Sequence, residues 1–320
     1  RETPCNVLWN SHAAVCGSQL QWQEGTIIMS KLIARDLSVS ELLPVTEVAL
    51  NLPVIKFRRG QLSTSDDIVA VEEPLEIRLA WNENGVGCNE ALTVTLRTPG
   101  HDRELVAGLL FSEGIIRSLS QLACIEPGDT SNSLIAHLMP GHQLDIKKYQ
   151  RYFYSTSSCG VCGKMAIESL KLLCSPILLD SVPAVAVTTI SRLSQVLSVD
   201  QALFQQTGGT HAAALFDKAG ELLLLREDIG RHNAVDKVLG ACLLEQTPKP
   251  SECILLVSGR AGFELVQKAL AANIAVMVAV GAPTSLAVQM AQAYNMTLIG
   301  FVKNDGFNVY SGYQRIVNSE

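Results

Sequence analysis

Short apolar runs alternate with helical stretches through the second half of the chain, and no other feature constrains the fold as tightly. Cys253–Val257, Ala275–Val280 and Met296–Val302 are almost wholly apolar. A strand with one wet face alternates apolar and polar residues, so continuous runs of this length predict strands covered on both sides. Gly262–Ala272 and Thr284–Tyr294, which lie between them, have helical period, and parallel strands need such crossovers. Upstream, Ala184–Val187 reads as a strand and Thr189–Gln206 as a helix. His211–Phe216 and Glu221–Arg226 then read as a hairpin turning at Lys218-Ala219-Gly220, followed by the helix Ile229–Leu244. Phe307–Tyr310 closes the series as a strand. Glu264 and Lys268, four apart, are expected to pair along their own helix.

The first half has a different texture. Ile68–Ala80 and Ala91–Thr98 read as strands joined by the loop Asn82–Gly87. Thr98-Pro99-Gly100 is a breaker, and His101–Ile116 has helical period with Leu105, Leu109 and Ile116 on one face. The expected fold class is therefore α/β (α+β), a smaller β-rich domain over 29–155 followed by an α/β layer domain over 156–320. Its boundary falls in the small-residue loop Ser155–Gly163. Residues 1–28 hold two of the three tryptophans, show no sustained period and precede Met29-Ser30-Lys31, so they are expected to be an extension or tail.

Composition removes several function classes. A hydrophobic fraction of 48% excludes wholesale disorder, and a net charge of −6 argues against a general nucleic-acid-binding surface. The longest nearly apolar run, Ala269–Ala282, is broken by Asn273 and falls short of the ~20 residues of a membrane span. Nine cysteines over 320 residues are too sparse for a disulfide scaffold. A cytoplasmic, reducing location is expected, where close cysteine pairs are catalytic or metal-binding.

Cys159 and Cys162 form such a pair, C-x-x-C in a glycine-flanked loop before a helical stretch, with Lys164 nearby. A helix N-terminus and a lysine both favour thiolate. The spacing suits a zinc half-site, a redox pair or a persulfide carrier. No second C-x-x-C or H-x-x-x-H completes a zinc site, so no metal is expected there. Thr207–Ala213 invites comparison with zinc deaminases, but Ala213 stands where their catalytic glutamate would be. For His211 alone, an ordinary histidine at a strand edge is as good a reading as a catalytic one. Arg226–Lys237 is dense in charge and reads equally well as a solvated helix start or an anion site, with Asp228 as its cap. Ser258-Gly259-Arg260-Ala261-Gly262 follows a buried strand, the usual place for a ligand in an open α/β sheet, and Arg260 suits phosphate. Gly281-Ala282-Pro283-Thr284-Ser285 is a similar turn, slightly better read as an ordinary helix cap.

Taken together, Ser158–Lys164, Thr210–Asp217, Arg226–Lys237, Ser258–Arg260, Val280–Ser285 and Arg97–Leu105 resemble the formate dehydrogenase accessory sulfurtransferases, the FdhD family, over about Val45 to Tyr310. The resemblance implies a cytidine-deaminase-like C-terminal domain and a homodimer. It further implies that sulfur from a cysteine desulfurase passes to the molybdenum or tungsten bis(molybdopterin guanine dinucleotide) cofactor of formate dehydrogenase. By the same resemblance Cys159 is the persulfide carrier, and Phe301, Val302, Lys303, Asn304, Asp305 and Gly306 form the cofactor-binding stretch; Cys162 either resolves the persulfide on Cys159 or tunes its neighbour's thiol. Gly259 and Arg260 are expected to join them, with guanine nucleotides as mimics. Two other readings carry different expectations: a chaperone that grips the cofactor without moving sulfur, and a C-x-x-C thiol–disulfide oxidoreductase.

Overall fold

The computed structural model describes residues 47–83, 85–142, 144–146, 149, 176–177 and 184–318, all within one compact unit. Residues 1–28 lie outside the described residues. Strands β1 (Ala49–Arg58) and β2 (Gln61–Ala70) form a hairpin closed by Arg59 and Gly60, both at positive φ, the backbone of a tight two-residue turn. β3 (Glu73–Glu83) pairs antiparallel with β4 (Val86–Arg97). The run expected as one strand, Ile68–Ala80, is thus two. Val71 donates its N–H to Val48 O, closing the hairpin before the chain enters a different sheet.

Helix α1 (Asp102–Ser112) follows, then β5 (Leu122–Pro127) and β6 (Ser133–Leu138) complete a sheet of order β4-β3-β6-β5. Leu75, Ile77, Leu79 and Trp81 alternate inward along β3 and pack with Leu105, Leu109 and Leu110 of α1. The helix stops four residues short of Ile116. Gly114 turns left-handed at φ 71, and the Ile115 and Ile116 N–H groups fold back to Leu110 O.

The larger lobe begins with β7 (Val185–Ala186), α2 (Val187–Asp200) and α3 (Ala202–Thr207). The single helix expected over Thr189–Gln206 breaks at Gln201. There the Glu227 carboxylate accepts the Leu203 and Phe204 N–H groups and starts a new helix. β8 (His211–Phe216) and β9 (Leu222–Asp228) form the expected hairpin. They lead into α4 (Arg231–Glu245), β10 (Ile254–Val257), α5 (Phe263–Ala271), β11 (Val276–Ala279), α6 (Ser285–Ala293), β12 (Thr297–Lys303) and β13 (Gly306–Ser311). A short β14 (Ile316–Val317) pairs with β7. The sheet order is β13-β12-β11-β10-β8-β9, with β10, β11 and β12 parallel and fully buried at their centres. This is the mixed α/β architecture that the apolar runs predict.

The two lobes meet along α1 and α4. Gly108 and Gly240 face each other there, and a Cβ on Gly108 would overlap the Asp236 carbonyl, as one on Gly240 would overlap the Glu104 carbonyl. Glycine costs a helix interior about 1 kcal/mol; here it lets two backbones touch. Buried charge ties the same joint. Lys268 of α5 reaches Glu113 at 2.9 Å and Asp236 at 3.0 Å, while Glu264 instead meets His232 at 2.7 Å. The pair expected along one helix is therefore replaced by contacts to its neighbours, because Lys268 lies on the buried face of α5. Burial alone would push the Lys268 ammonium down; facing Asp236 and Glu113, it is held above its ordinary pKa.

Candidate functional site

Three turns leave the carboxyl ends of β10, β11 and β12, where open parallel sheets bind ligands. The first, Ser258–Gly262, and the second, Val280–Thr284, run side by side. Gly281 N–H donates to Gly259 O at 3.0 Å, Ala261 N–H to Ala282 O at 3.2 Å and Thr284 N–H to Ala261 O at 3.1 Å. Strand β12 joins them before its own turn, through Phe301, whose N–H donates to Gly281 O at 3.2 Å. Gly281 is thus the stitch between the predicted Gly259/Arg260 turn and the predicted Phe301–Gly306 stretch. Its own side chain position is closed, since a Cβ there would sit 2.9 Å from Arg260 N and Gly259 O.

Among the predicted residues, Gly259 is half-buried and Arg260 exposed. Phe301 is 44% exposed although it is a large apolar ring, and its backbone stands at φ 57 in the left-handed region. A non-glycine residue there stores strain of order 1–3 kcal/mol, a condition that clusters at binding sites. The ladder between β12 and β13 is irregular between Gly300 and Lys303, and this bulge turns Phe301 outward. Val302 points into the core, while Lys303, Asn304 and Asp305 are exposed around the β12–β13 turn and Gly306 is half-buried after it. Cys159 and Cys162 lie outside the described residues.

Because β8 runs antiparallel to β10, with Ala213 opposite Val257, its first residue reaches the same edge. His211 lies against Gly259: a Cβ on that glycine would stand 3.3 Å from His211 Nδ1. Burial, then the positive charges of Arg231 and His232, push the His211 pKa down, so the imidazole is neutral at pH 7. Across the edge His232 holds Glu264, whose carboxyl is pushed down mainly by that hydrogen bond. The edge thus carries neutral imidazole, an imidazole–carboxylate pair, one exposed guanidinium and glycine-lined backbone. Such a set can hold a phosphate-bearing ligand and place a proton beside it. The His232–Glu264 pair escaped the reading of the sequence because 31 residues of helix and strand separate its members, and no spacing rule joins them.

The charge-dense segment Arg226–Lys237 does something else. Asp228 is fully buried, 2.8 Å from Lys237 Nζ, and accepts the N–H groups of Gly230 and Thr98 and an amide N–H of Asn233. Lys237 also donates to Thr98 O at 2.8 Å. Arg226 forks onto Glu104 of α1 at 2.6 and 2.8 Å. Arg97, with no exposed surface, forks onto Asp102 and reaches Glu73 and Asn132. Arg226–Lys237 therefore joins the lobes while Arg97 braces the smaller one. Of the two even readings of that segment, the solvated helix start does not fit Asp228, Asn233, Asp236 and Lys237, which are buried.

Comparison with known proteins agrees with this architecture. The profile of the FdhD/NarQ family matches residues 70–317. A protein of Streptomyces coelicolor named sulfur carrier protein FdhD is 43% identical over 273 residues, covering 82% of this chain and 94% of its own length. A protein of the same name from Sulfurisphaera tokodaii is 40% identical, covering 82% of this chain and 97% of its own. Among solved structures, a crystal structure from Desulfotalea psychrophila, described as a candidate formate dehydrogenase accessory protein, superposes with a TM-score of 0.66. That match has 22% identity, spanning 85% of this chain and 100% of the other.

Proposed function

The chain belongs to the FdhD/NarQ family, and from that premise we propose that it carries sulfur for the maturation of formate dehydrogenase. The names of its relatives support the carrier role, and the sequence around Cys159 supports the chemistry. A Cys159 thiolate attacks the outer sulfur of a persulfide on a cysteine desulfurase; the old S–S bond breaks as the new one forms, and the desulfurase cysteine leaves as thiolate. Gly160 and Gly163 flank the pair in the sequence. Cys162 then attacks the inner sulfur of Cys159 and expels sulfide. The expelled sulfide carries off two electrons and leaves the two cysteines oxidised as a disulfide, which a cellular dithiol reductant returns to dithiol. On this reading the protein is a sulfurtransferase, works in the reducing cytoplasm and pairs as a homodimer.

The acceptor, a molybdenum or tungsten bis(molybdopterin guanine dinucleotide), is substrate here. One observation supports its placement: the first two turns and the end of β12 are stitched through Gly281, with Arg260 and the Phe301 ring both exposed beside that stitch. Backbone at Gly259 and Gly262 approaches pyrophosphate, Arg260 pairs with it, and Phe301 offers a flat face to guanine. Nothing lies within 4 Å of a Cβ position on Gly262, so the turn has room for such a ligand.

The test has two arms. Incubation with a cysteine desulfurase and cysteine should add about 32 Da, one sulfur, to Cys159. Cys159→Ala should then abolish formate oxidation in cells, with a graded loss in Cys162→Ala. Normal formate oxidation in Cys159→Ala would sink the carrier role. In calorimetry, guanosine diphosphate should bind the wild-type protein, and Arg260→Ala should weaken it roughly ten- to a hundredfold, the worth of one charge-assisted hydrogen bond. No binding, or equal affinity for adenosine diphosphate, would remove the cofactor half of the proposal.

A further inference from the structure

The smaller lobe carries a thiol, an imidazole and a carboxylate that the sulfur chemistry does not use. On the outer face of the β5/β6 pair, Cys124 stands opposite His137 in the ladder. Glu126 is two residues further along β5, its Oε1 2.7 Å from His137 Nε2. One donor atom from each residue lies within 4.8 Å of the other two. The strand achieves this by breaking its own alternation. Leu122, Cys124 and Glu126 would share one face of a regular strand. Here Leu122 and Ile125 are buried while Cys124 and Glu126 are exposed. The ladder shifts register between Leu122 and Cys124, and such a bulge re-aims a side chain; this one turns Leu122 into the core, while Cys124, Glu126 and His137 share the outer face.

We propose that Cys124, Glu126 and His137 bind a divalent transition cation of the zinc class. Sulfur, nitrogen and carboxylate oxygen is a ligand set that zinc accepts and that calcium and magnesium, which take oxygen, do not. Three protein ligands leave the fourth tetrahedral position to water. Zinc bond lengths place tetrahedral ligand atoms about 3.3–3.6 Å apart, so side-chain rotation must open the 2.7 Å His137–Glu126 contact slightly and bring the exposed Cys124 thiol in. The cation takes the place of the proton now shared by His137 and Glu126. Cys124 binds as thiolate and gives its proton to solvent, so affinity rises with pH. β5 is the edge strand of its sheet, and the bound cation clips it to β6.

Cobalt(II) titration of the full chain carrying Cys159→Ala and Cys162→Ala tests this, because that background removes the competing close thiol pair. One equivalent of cobalt should bind, with a sulfur-to-metal charge-transfer band and the visible bands of tetrahedral cobalt, and zinc should displace it. Adding Cys124→Ser should abolish the charge-transfer band, and His137→Gln should weaken binding at least tenfold. Zinc should raise the melting temperature of the background protein and leave that of the Cys124→Ser variant unchanged. No band in the background protein, or a band that survives Cys124→Ser, overturns the proposal. Either result leaves the sulfur-carrier reading untouched, since none of these residues belongs to it.

Discussion

The joint between the lobes and the carboxyl edge of the large sheet use similar residues to opposite ends. At the joint, glycines disappear into backbone contact: Gly108 and Gly240 have no room for a methyl group. At the edge, Gly262 faces open space and Gly259 faces only an imidazole. Charges follow the same division. Asp228, Lys237 and Lys268 are buried and paired, whereas Arg260, Lys303 and Asp305 are exposed. The joint spends glycine and charge on holding two lobes in one register. The edge leaves them free to meet something else. A residue type therefore says little about role until its surroundings are known.

Four substitutions or titrations probe that contrast. Lys237→Met should have the largest effect, since it leaves Asp228 charged and buried without its partner. A loss of about 3–5 kcal/mol is expected for a broken buried pair, read as a lower urea midpoint with an unchanged slope. Gly240→Ala comes next. Its methyl meets the Glu104 carbonyl, backbone that no rotamer change can move, so a loss of about 3 kcal/mol is expected, at the top of the overpacking range. A near-neutral result for either variant would mean that the lobes slide where the joint is described as fixed.

Acid should release a third component. Burial pushes the Glu104 carboxyl up, but hydrogen bonds from Arg226 and His101, and their charges, hold it at about 2 against an ordinary 4.5. A depressed carboxylate stabilises the fold above its unfolded pKa and loses that contribution as pH falls through the folded one. Stability should therefore drop by roughly 2–3 kcal/mol between about pH 4.5 and 2, and Glu104→Gln should flatten the drop. The smallest effect belongs to Arg260→Ala, which should leave stability within about 0.5 kcal/mol of wild type. A large loss there would move Arg260 from the edge to the structural side of the comparison.

The thiols divide in the same way. Burial pushes Cys242 up to about 12 and Cys253 up to about 11, so both stay protonated and shielded at neutral pH. Iodoacetamide at pH 8 should label the exposed Cys124 in the native protein and spare Cys242 and Cys253. Labelling of the buried pair at the same rate would show that the large lobe opens.

Much of the large lobe was legible because parallel strands are apolar on both faces, so their runs stand out without any knowledge of partners. Turns at their carboxyl ends were legible for the same reason: once the strands are placed, Ser258–Gly262 can lie nowhere else. What spacing could not reveal are contacts between distant segments. Thr98 and Asp228, or Ser112 and Asp236, are joined only after folding. Lys268 shows the cost of a local rule, since its i−4 glutamate suggested an exposed pair while its contacts lie on other helices. Helix ends failed likewise at Gln201 and Gly114, where the stop is set by a distant carboxylate or a left-handed glycine.

Position 301 has a consequence for how such a chain can change. A left-handed backbone costs most residues roughly 1–2 kcal/mol that glycine does not incur. Selection for folding alone would favour glycine at φ 57, yet the chain keeps a bulky ring there and leaves 44% of it in water. Stabilising substitutions sought by screening for heat resistance would therefore converge on this site and erase the ring. On the proposed guanine contact, the same screen run with guanine nucleotide present would retain it.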